Sequence, residues 1–289
     1  VGRFDGLPAE VSPDVLRRRH RDLSGRDDAF VLDHYERHGR AEGRIATDVA
    51  LRENFLPMID PDARLLEIGP YFTPAFKGPN VRYLDVFDAE SLRTFARAEG
   101  ADPEGCPAEI HYTNGLDEAA GADFDAVFSS HAIEHQPDLV THLQQVAAAL
   151  KAGGMYWIVC PDKRYCFDQK RPASTIADVL DARGRTRNTR RNVIDQVVLM
   201  DHNDPVRHWQ GDHDDVSVLE RERLAWALQH IEDKGEDYID VHAWHLTPPI
   251  LRRVLSSLID LQMIPFTRFR VYDTPVNRNE FMAVLGRDD

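Results

Sequence analysis

The sequence predicts an open α/β sheet, preceded by a charged helical segment and interrupted by one long insertion. Three observations predict it. From residue 64 onward short apolar runs alternate with helical stretches. Those runs are apolar on both faces, as strands buried between two helix layers are. The alternation then lapses between residues 168 and 247 before it resumes. At 289 residues and 42% hydrophobic, the chain suffices for one large domain with an insertion, or for two small ones.

Residues 12–62 read as helical. Ser12 suits an N-cap with Pro13 at the first helical position. The stretch DDAFVLDHYERHGRAEGR sets Phe30, Val31, His34 and Tyr35 along one side of a helix that ends at Gly39. Strand candidates follow as RLLEIG (64–69), VRYLDV (81–86), AEIHYT (108–113), FDAVFSS (124–130) and GMYWIVCP (154–161). Before the last of these, Leu139, Leu143, Val146, Ala147 and Leu150 fall at helical spacing, and Gly153–Gly154 occupies the C-cap position. TPPILRRVLSSLID (247–260) is an amphipathic helix opened by two prolines. FTRFRVYDT (266–274) and EFMAVLGR (280–287) form a closing strand pair. The expected divisions are a helical N-terminal lid or oligomerisation segment (1–62), a ligand-binding core (63–165), an insertion serving as substrate lid (166–245) and a C-terminal completion of the sheet (246–289).

Composition narrows the function. Lys plus Arg is 35 against 49 Asp plus Glu, a formal net charge of −14. That sign disfavours a nucleic acid bound over a broad surface. Cys106, Cys160 and Cys166 match no disulfide framework or zinc knuckle, which suits a reducing cytoplasm. VGRFDGLPAEVSPD lacks the apolar core of a signal peptide, and no run approaches the roughly 18 apolar residues of a membrane span. A soluble cytoplasmic protein is expected.

The strand tips carry the ligand chemistry. After Gly69 the first loop offers Pro70, Tyr71, Phe72, Thr73 and Pro74, a glycine-poor sequence for a nucleotide loop. Asp85 stands at the tip of VRYLDV, where a carboxylate accepts hydrogen bonds from both ribose hydroxyls and repels a 2′-phosphate. Asp88 takes that place if the strand runs longer. A dinucleotide would need G-x-G-x-x-G to seat its pyrophosphate, which GPYFTP does not supply.

In order and spacing, LLEIGP, VRYLDV, HYTNGLDEA, FDAVFSSHAIEHQPD and ALKAGGMYWIVCPDKR resemble the class I S-adenosylmethionine-dependent methyltransferase family, over roughly residues 60–165 and 245–287. The resemblance implies a Rossmann-like, mostly parallel seven-stranded sheet whose last strand is antiparallel. It implies S-adenosylmethionine as cofactor and S-adenosylhomocysteine as product. Glu67 and Gly69, with Pro70, match the positions that wrap the methionine half. Asp85 and Val86 match the ribose position, Asn114 or Asp117 the adenine position, and Ser129, Ser130 and His131 the carboxyl edge of the sheet. The single glycine of the first loop departs from the family's pattern.

Methyl transfer is an in-line displacement that often requires a proton to leave the nucleophile, and histidine suits an oxygen nucleophile. Among thirteen histidines, His131 and His135 lie just past the fourth strand, with Glu134 expected to organise their loop. His242 and His245, in DVHAWH, precede the helix at 247, and alternation would point them to opposite sides. Asp162, Lys163, Arg164 and Tyr165 follow the fifth strand and should border the cleft, while His208 belongs to DHNDPVRHWQGDHDD (201–215). The basic run over 163–192 fits a lid that recognises an anionic acceptor. The density of His and Asp over 201–215 and 240–245 admits a divalent ion, but no one helix carries a tight ligand pattern, so a metal-free base is preferred.

DHYERHGRAEGR weakly resembles segments of bacterial proteins linked to glycan assembly. The expected reaction is O-methylation of a saccharide, a nucleotide sugar or a natural-product hydroxyl. The alternatives are N-methylation, or a binding module of the same fold that has lost catalysis. SSHA after the fourth strand replaces the Asn/Asp-Pro-Pro-Tyr/Phe tetrad of nucleic-acid methyltransferases. Apolar residues in the N-terminal helices would serve a homodimer as readily as a lid.

Overall fold

Six strands form one sheet in the computed structural model, which describes residues 3–288: β1 Leu65–Ile68, β2 Val81–Leu84, β3 Phe124–Ser130, β4 Leu150–Pro161, β5 Arg268–Tyr272 and β6 Glu280–Gly286. Their spatial order is β2-β1-β3-β4-β6-β5. The first four run parallel, and β6 is antiparallel to both its neighbours. The order reverses between β1 and β3, so their carboxyl ends flank the crevice where open α/β sheets bind ligands.

Ten α-helices surround this sheet among the described residues: α1 Pro13–Arg19, α2 Asp28–His34, α3 Arg52–Phe55, α4 Ala89–Ala98, α5 Leu139–Ala149, α6 Ile176–Asp181, α7 Arg190–Leu199, α8 Pro205–Trp209, α9 Glu220–Lys234 and α10 Pro248–Asp260. Both sheet faces are covered. Leu143 and Val146 of α5 and Leu251 and Leu255 of α10 join Val127, Ile158 and Ala283 on one side. Phe4, Leu7 and Phe55 meet Phe128, Trp157 and Val284 on the other. That double coverage is why the strands read as unbroken apolar runs. No described helix is long and apolar enough to cross a membrane.

Three expectations need correction. The segment 108–113 is not a strand, and the sheet has six strands rather than seven. Tyr112 makes a single bridge to Leu84, and His111 and Tyr112 both donate to the Tyr83 carbonyl. Pro107 cannot donate and Glu109 is exposed, so the outer side of β2 carries a loosely attached loop rather than a ladder. Helix α5 stops at Ala149, before the paired glycines. Leu150 and Met155 pair with Phe124 and Ala126, so Gly153, at φ 70°, turns a bulge inside β4 rather than capping a helix. Of the four residues expected along one side of the N-terminal helix, only Val31 and Tyr35, one turn apart, are buried, while Phe30 is 43% exposed.

The insertion is helical, holding α6 to α9. Its sequence pattern fades because each helix buries little: Val179 in α6, Val193 and Val198 in α7, Ala227 and Ile231 in α9. Caps compensate, with reciprocal Thr175–Asp178 and Thr189–Asn192 boxes starting α6 and α7. At α10 Thr247 caps the helix by receiving the Ile250 N–H, as the expected Ser12 cap receives that of Val15 at α1.

Candidate functional site

At the tips of β1 and β2 two buried carboxylates shape the glycine-poor loop. Glu67 accepts the backbone N–H groups of Ala75 at 2.7 Å and Phe76 at 3.1 Å. Burial nevertheless pushes its carboxyl up to about 7. Asp85 accepts from Phe87 N–H at 3.1 Å and, weakly, from Tyr71 N–H at 3.4 Å. Gly69 donates to the Leu84 carbonyl and holds φ 68°, a conformation its lack of a Cβ permits. The loop therefore closes over Asp85, as a cofactor cradle should. Each Asp85 oxygen takes one protein donor, which leaves lone pairs for a ligand's hydroxyls. Pro70 is buried within the loop and Val86 is 72% exposed beyond Asp85.

Next along the rim, the end of β3 divides its residues between interior and cleft. Ser129 is fully buried and shares a hydrogen bond with Tyr156, which also meets His142. Ser130 accepts from Arg52 of α3 at 2.7 Å. Arg52 in turn grips Glu280 through two nitrogens, at 2.9 and 2.8 Å, and His131 Nε2 reaches the same carboxylate at 2.9 Å. His131 holds φ 51°, a conformation uncommon outside glycine that turns the chain sharply off the strand.

Just beyond lies the densest chemistry. The turn over 131–138 is held by Asp138, which accepts from Thr141 at the start of α5 and from Gly184 N–H of the insertion. Through its carbonyl Glu134 accepts the N–H groups of Ala243 at 2.7 Å and Trp244 at 3.1 Å, which draws the 240–245 segment onto this turn. His135 Nε2 and His242 Nε2 each stand 3.8 Å from Glu134 Oε1, and His131 Nδ1 stands 4.0 Å away. The Glu134 side chain is fully buried, and neither oxygen has a hydrogen-bond partner. Behind His242, Asp168 contacts Nδ1 at 2.5 Å and is itself paired with buried Arg171 at 2.8 Å. Behind His135, Asp240 contacts Nδ1 at 2.8 Å. Burial alone would pull His135 down, but Asp240 and the Glu134 charge outweigh it and hold this imidazole above its usual value. His242 and Arg171 hold Asp168 well below the ordinary carboxylate range, against the effect of burial.

The remaining expected residues lie apart from this cluster. Asn114 donates to Glu118, and Asp117 accepts from Gln145, both on the loop beyond β2. Asp162 is fully buried and saturated by Arg164 and Thr274. Lys163 donates to the Gln169 carbonyl, and Tyr165 stacks on Trp209 with ring centroids 3.8 Å apart. His208 is buried against His202 and His213. The 240–245 segment is not a strand, yet its two histidines do diverge. His242 turns to Glu134, whereas His245 turns to the Pro172 carbonyl beside a cavity of about 340 Å³ lined by Trp244, Arg185 and Asn188. Burial drives His245 down to about 4. Asp168, Asp240, Arg52 and Glu280 were not among the expected site residues. Of these only Asp240 lies in a stretch singled out for its chemistry in the sequence, DVHAWH (240–245).

Residues 74–158, a little under a third of the chain, match the methyltransferase domain family. No curated protein matches the sequence. Among solved structures, a possible exported protein from Bordetella parapertussis is 15% identical, with 92% of this chain and 71% of that one covered at a TM-score of 0.38. A SAM-dependent methyltransferase from Thermotoga maritima, possibly acting on histamine by its description, is 13% identical over 96% of this chain and 100% of that one, at a TM-score of 0.39. A complex of DhpI with SAH is 14% identical over 97% and 99% at 0.39.

Proposed function

We infer that this chain, which carries a class I S-adenosylmethionine-dependent methyltransferase domain, methylates a hydroxyl of a small molecule such as a saccharide, a nucleotide sugar or a polyhydroxylated natural product. One observation carries the reading. Three imidazoles, those of His131, His135 and His242, surround the buried Glu134 at the end of β3, on the same rim as Asp85 and the Gly69 loop.

Asp85 would hold the ribose diol through its spare lone pairs, and the 69–76 loop braced by Glu67 would wrap the amino-acid end. Asn114 and Asp117 are candidates for the adenine side. When bound, S-adenosylmethionine supplies a methyl group on a cationic sulfur. The protein's part is to align the acceptor oxygen, exclude water and take up the proton that the oxygen loses. His131, held by Glu280, is the candidate base for this, with His135 and His242 fixed beside it by Asp240 and Asp168. Arg164 and Tyr165, at the end of β4, are placed to meet an anionic or glycosidic acceptor, with the insertion (166–245) as lid and the N-terminal segment (1–62) bracing the rim through Arg52.

The test is incubation with methyl-labelled S-adenosylmethionine and a panel of nucleotide sugars, free sugars, polyphenols and amines, read by mass spectrometry. A methyl ether on a hydroxylated acceptor supports the reading. Transfer to amines alone overturns the O-methylation, and cofactor binding with no product from any acceptor overturns the enzymatic role.

A further inference from the structure

The Glu134 side chain presents a problem that the fold itself does not solve. A fully buried carboxylate is normally hydrogen-bonded or paired, yet both its oxygens lack partners. Its nearest polar neighbours are ring nitrogens that point at it from 3.8 Å, too far for a hydrogen bond.

The state of those rings follows from their other ends. His135 Nδ1 faces Asp240 and His242 Nδ1 faces Asp168, and a carboxylate keeps the ring proton on the nitrogen beside it. With that tautomer each ring presents its Nε2 to Glu134. One ligand atom from each of Glu134, His135 and His242 lies within 4.8 Å of the other two, and a cation held among them would satisfy the buried carboxylate. Arg171 and Tyr238 in turn hold Asp168 and Asp240, so the outer carboxylates are fixed as well.

We propose that Glu134, His135 and His242 bind one divalent transition-metal ion, with Asp168 and Asp240 fixing the two imidazoles. Two imidazoles and one carboxylate suit zinc, manganese, iron or cobalt, whereas magnesium and calcium favour oxygen ligands throughout. Bonds of 2.0–2.1 Å to a tetrahedral ion place ligand atoms about 3.3 Å apart, so the two 3.8 Å spacings to Glu134, and the imidazole pair within 4.8 Å, close by an inward movement on binding. Three protein ligands leave coordination positions open, and the partly exposed His135 puts them toward the cleft. An ion there binds an acceptor hydroxyl and lowers its pKa, and it favours acceptors with two adjacent oxygens. This last role rests on the methyltransferase reading; the ion's binding does not.

Protein stripped with a chelator and checked by circular dichroism is titrated with Co²⁺, then with competing Zn²⁺, and followed by visible absorption and metal analysis. The expected result is one equivalent bound. Affinity falls at least tenfold in Glu134→Gln and His242→Ala, and about ten- to a hundredfold in Asp168→Asn. Should His242→Ala fail to fold, the nearly isosteric Glu134→Gln carries the test. Absence of bound ion overturns the proposal, as does unchanged binding in Glu134→Gln, which would place the ion elsewhere, as in the groups around His202. An ion bound as expected with no acceptor ever methylated overturns the functional reading and leaves the site standing. Methylation at full rate by protein that binds no ion does the reverse.

Discussion

Glu280 and Glu134 both face His131, and the protein treats them oppositely. Glu280 is gripped by Arg52 through two nitrogens and touched by His131 at 2.9 Å. Glu134 lies deeper, yet has imidazoles no closer than 3.8 Å and no hydrogen bond to its side chain. The better buried group is the worse satisfied one. A carboxylate saturated with partners locks the start of β6 to α3. One left unsatisfied in the interior is held in readiness for something that arrives later.

The largest expected effect separates them by function. Glu134→Gln should lower kcat/KM for methyl transfer by about a hundredfold or more while leaving the melting temperature level or slightly higher, since a buried unpaired charge is removed. Steady-state kinetics beside thermal denaturation would check it; a large loss of stability would erase the contrast with Glu280. Glu280→Gln should do the opposite. It leaves Arg52 without its counter-charge, and because that side chain is a third exposed the cost should be about 2 kcal/mol rather than the figure for a fully buried pair. Urea unfolding would measure it.

The same pair sharpens in acid. Burial raises the Glu280 carboxyl, but Arg52 and His131 outweigh it and bring the group from the usual 4.5 to about 2. A depressed folded value means stability fully present above 4.5 and lost as pH falls from 4.5 toward 2. Unfolding free energies at pH 6 and 3 should therefore differ less in Glu280→Gln than in the parent. The smallest effect lies at Glu67, which burial pushes the other way, to about 7. There the contribution is present below 4.5 and lost as pH rises through 7, so the 69–76 loop should loosen between these values. Cofactor affinity measured at pH 5.5 and 8 should show a few-fold difference that Glu67→Gln abolishes.

Much of this was legible in the chain, for particular reasons. The four parallel strands show because both their faces are buried, and Asp85 because an acid at a strand tip has few other uses. The helix at 247–260 announces itself through its amphipathic spacing and two opening prolines. The segment 108–113 misled because an apolar stretch on an outer edge looks the same whether or not it ladders. The Glu134 cluster was half visible. Glu134 was expected to organise its loop, and its backbone carbonyl does so through Ala243 and Trp244. That its side chain would then face His242, more than a hundred residues away, depends on a tertiary contact with no local signature. Asp168 is undistinguished among 49 acids, and Asp240 marked only by its histidine neighbours, until the fold sets them behind the two imidazoles.

The most direct measurement is a crystal structure of the full chain with S-adenosylhomocysteine. The ribose hydroxyls should lie within hydrogen-bond distance of Asp85, with the sulfur facing the space between Gly69 and the Glu134 cluster. A ligand seated elsewhere, or one whose sulfur points away from His131, His135 and His242, would contradict the account.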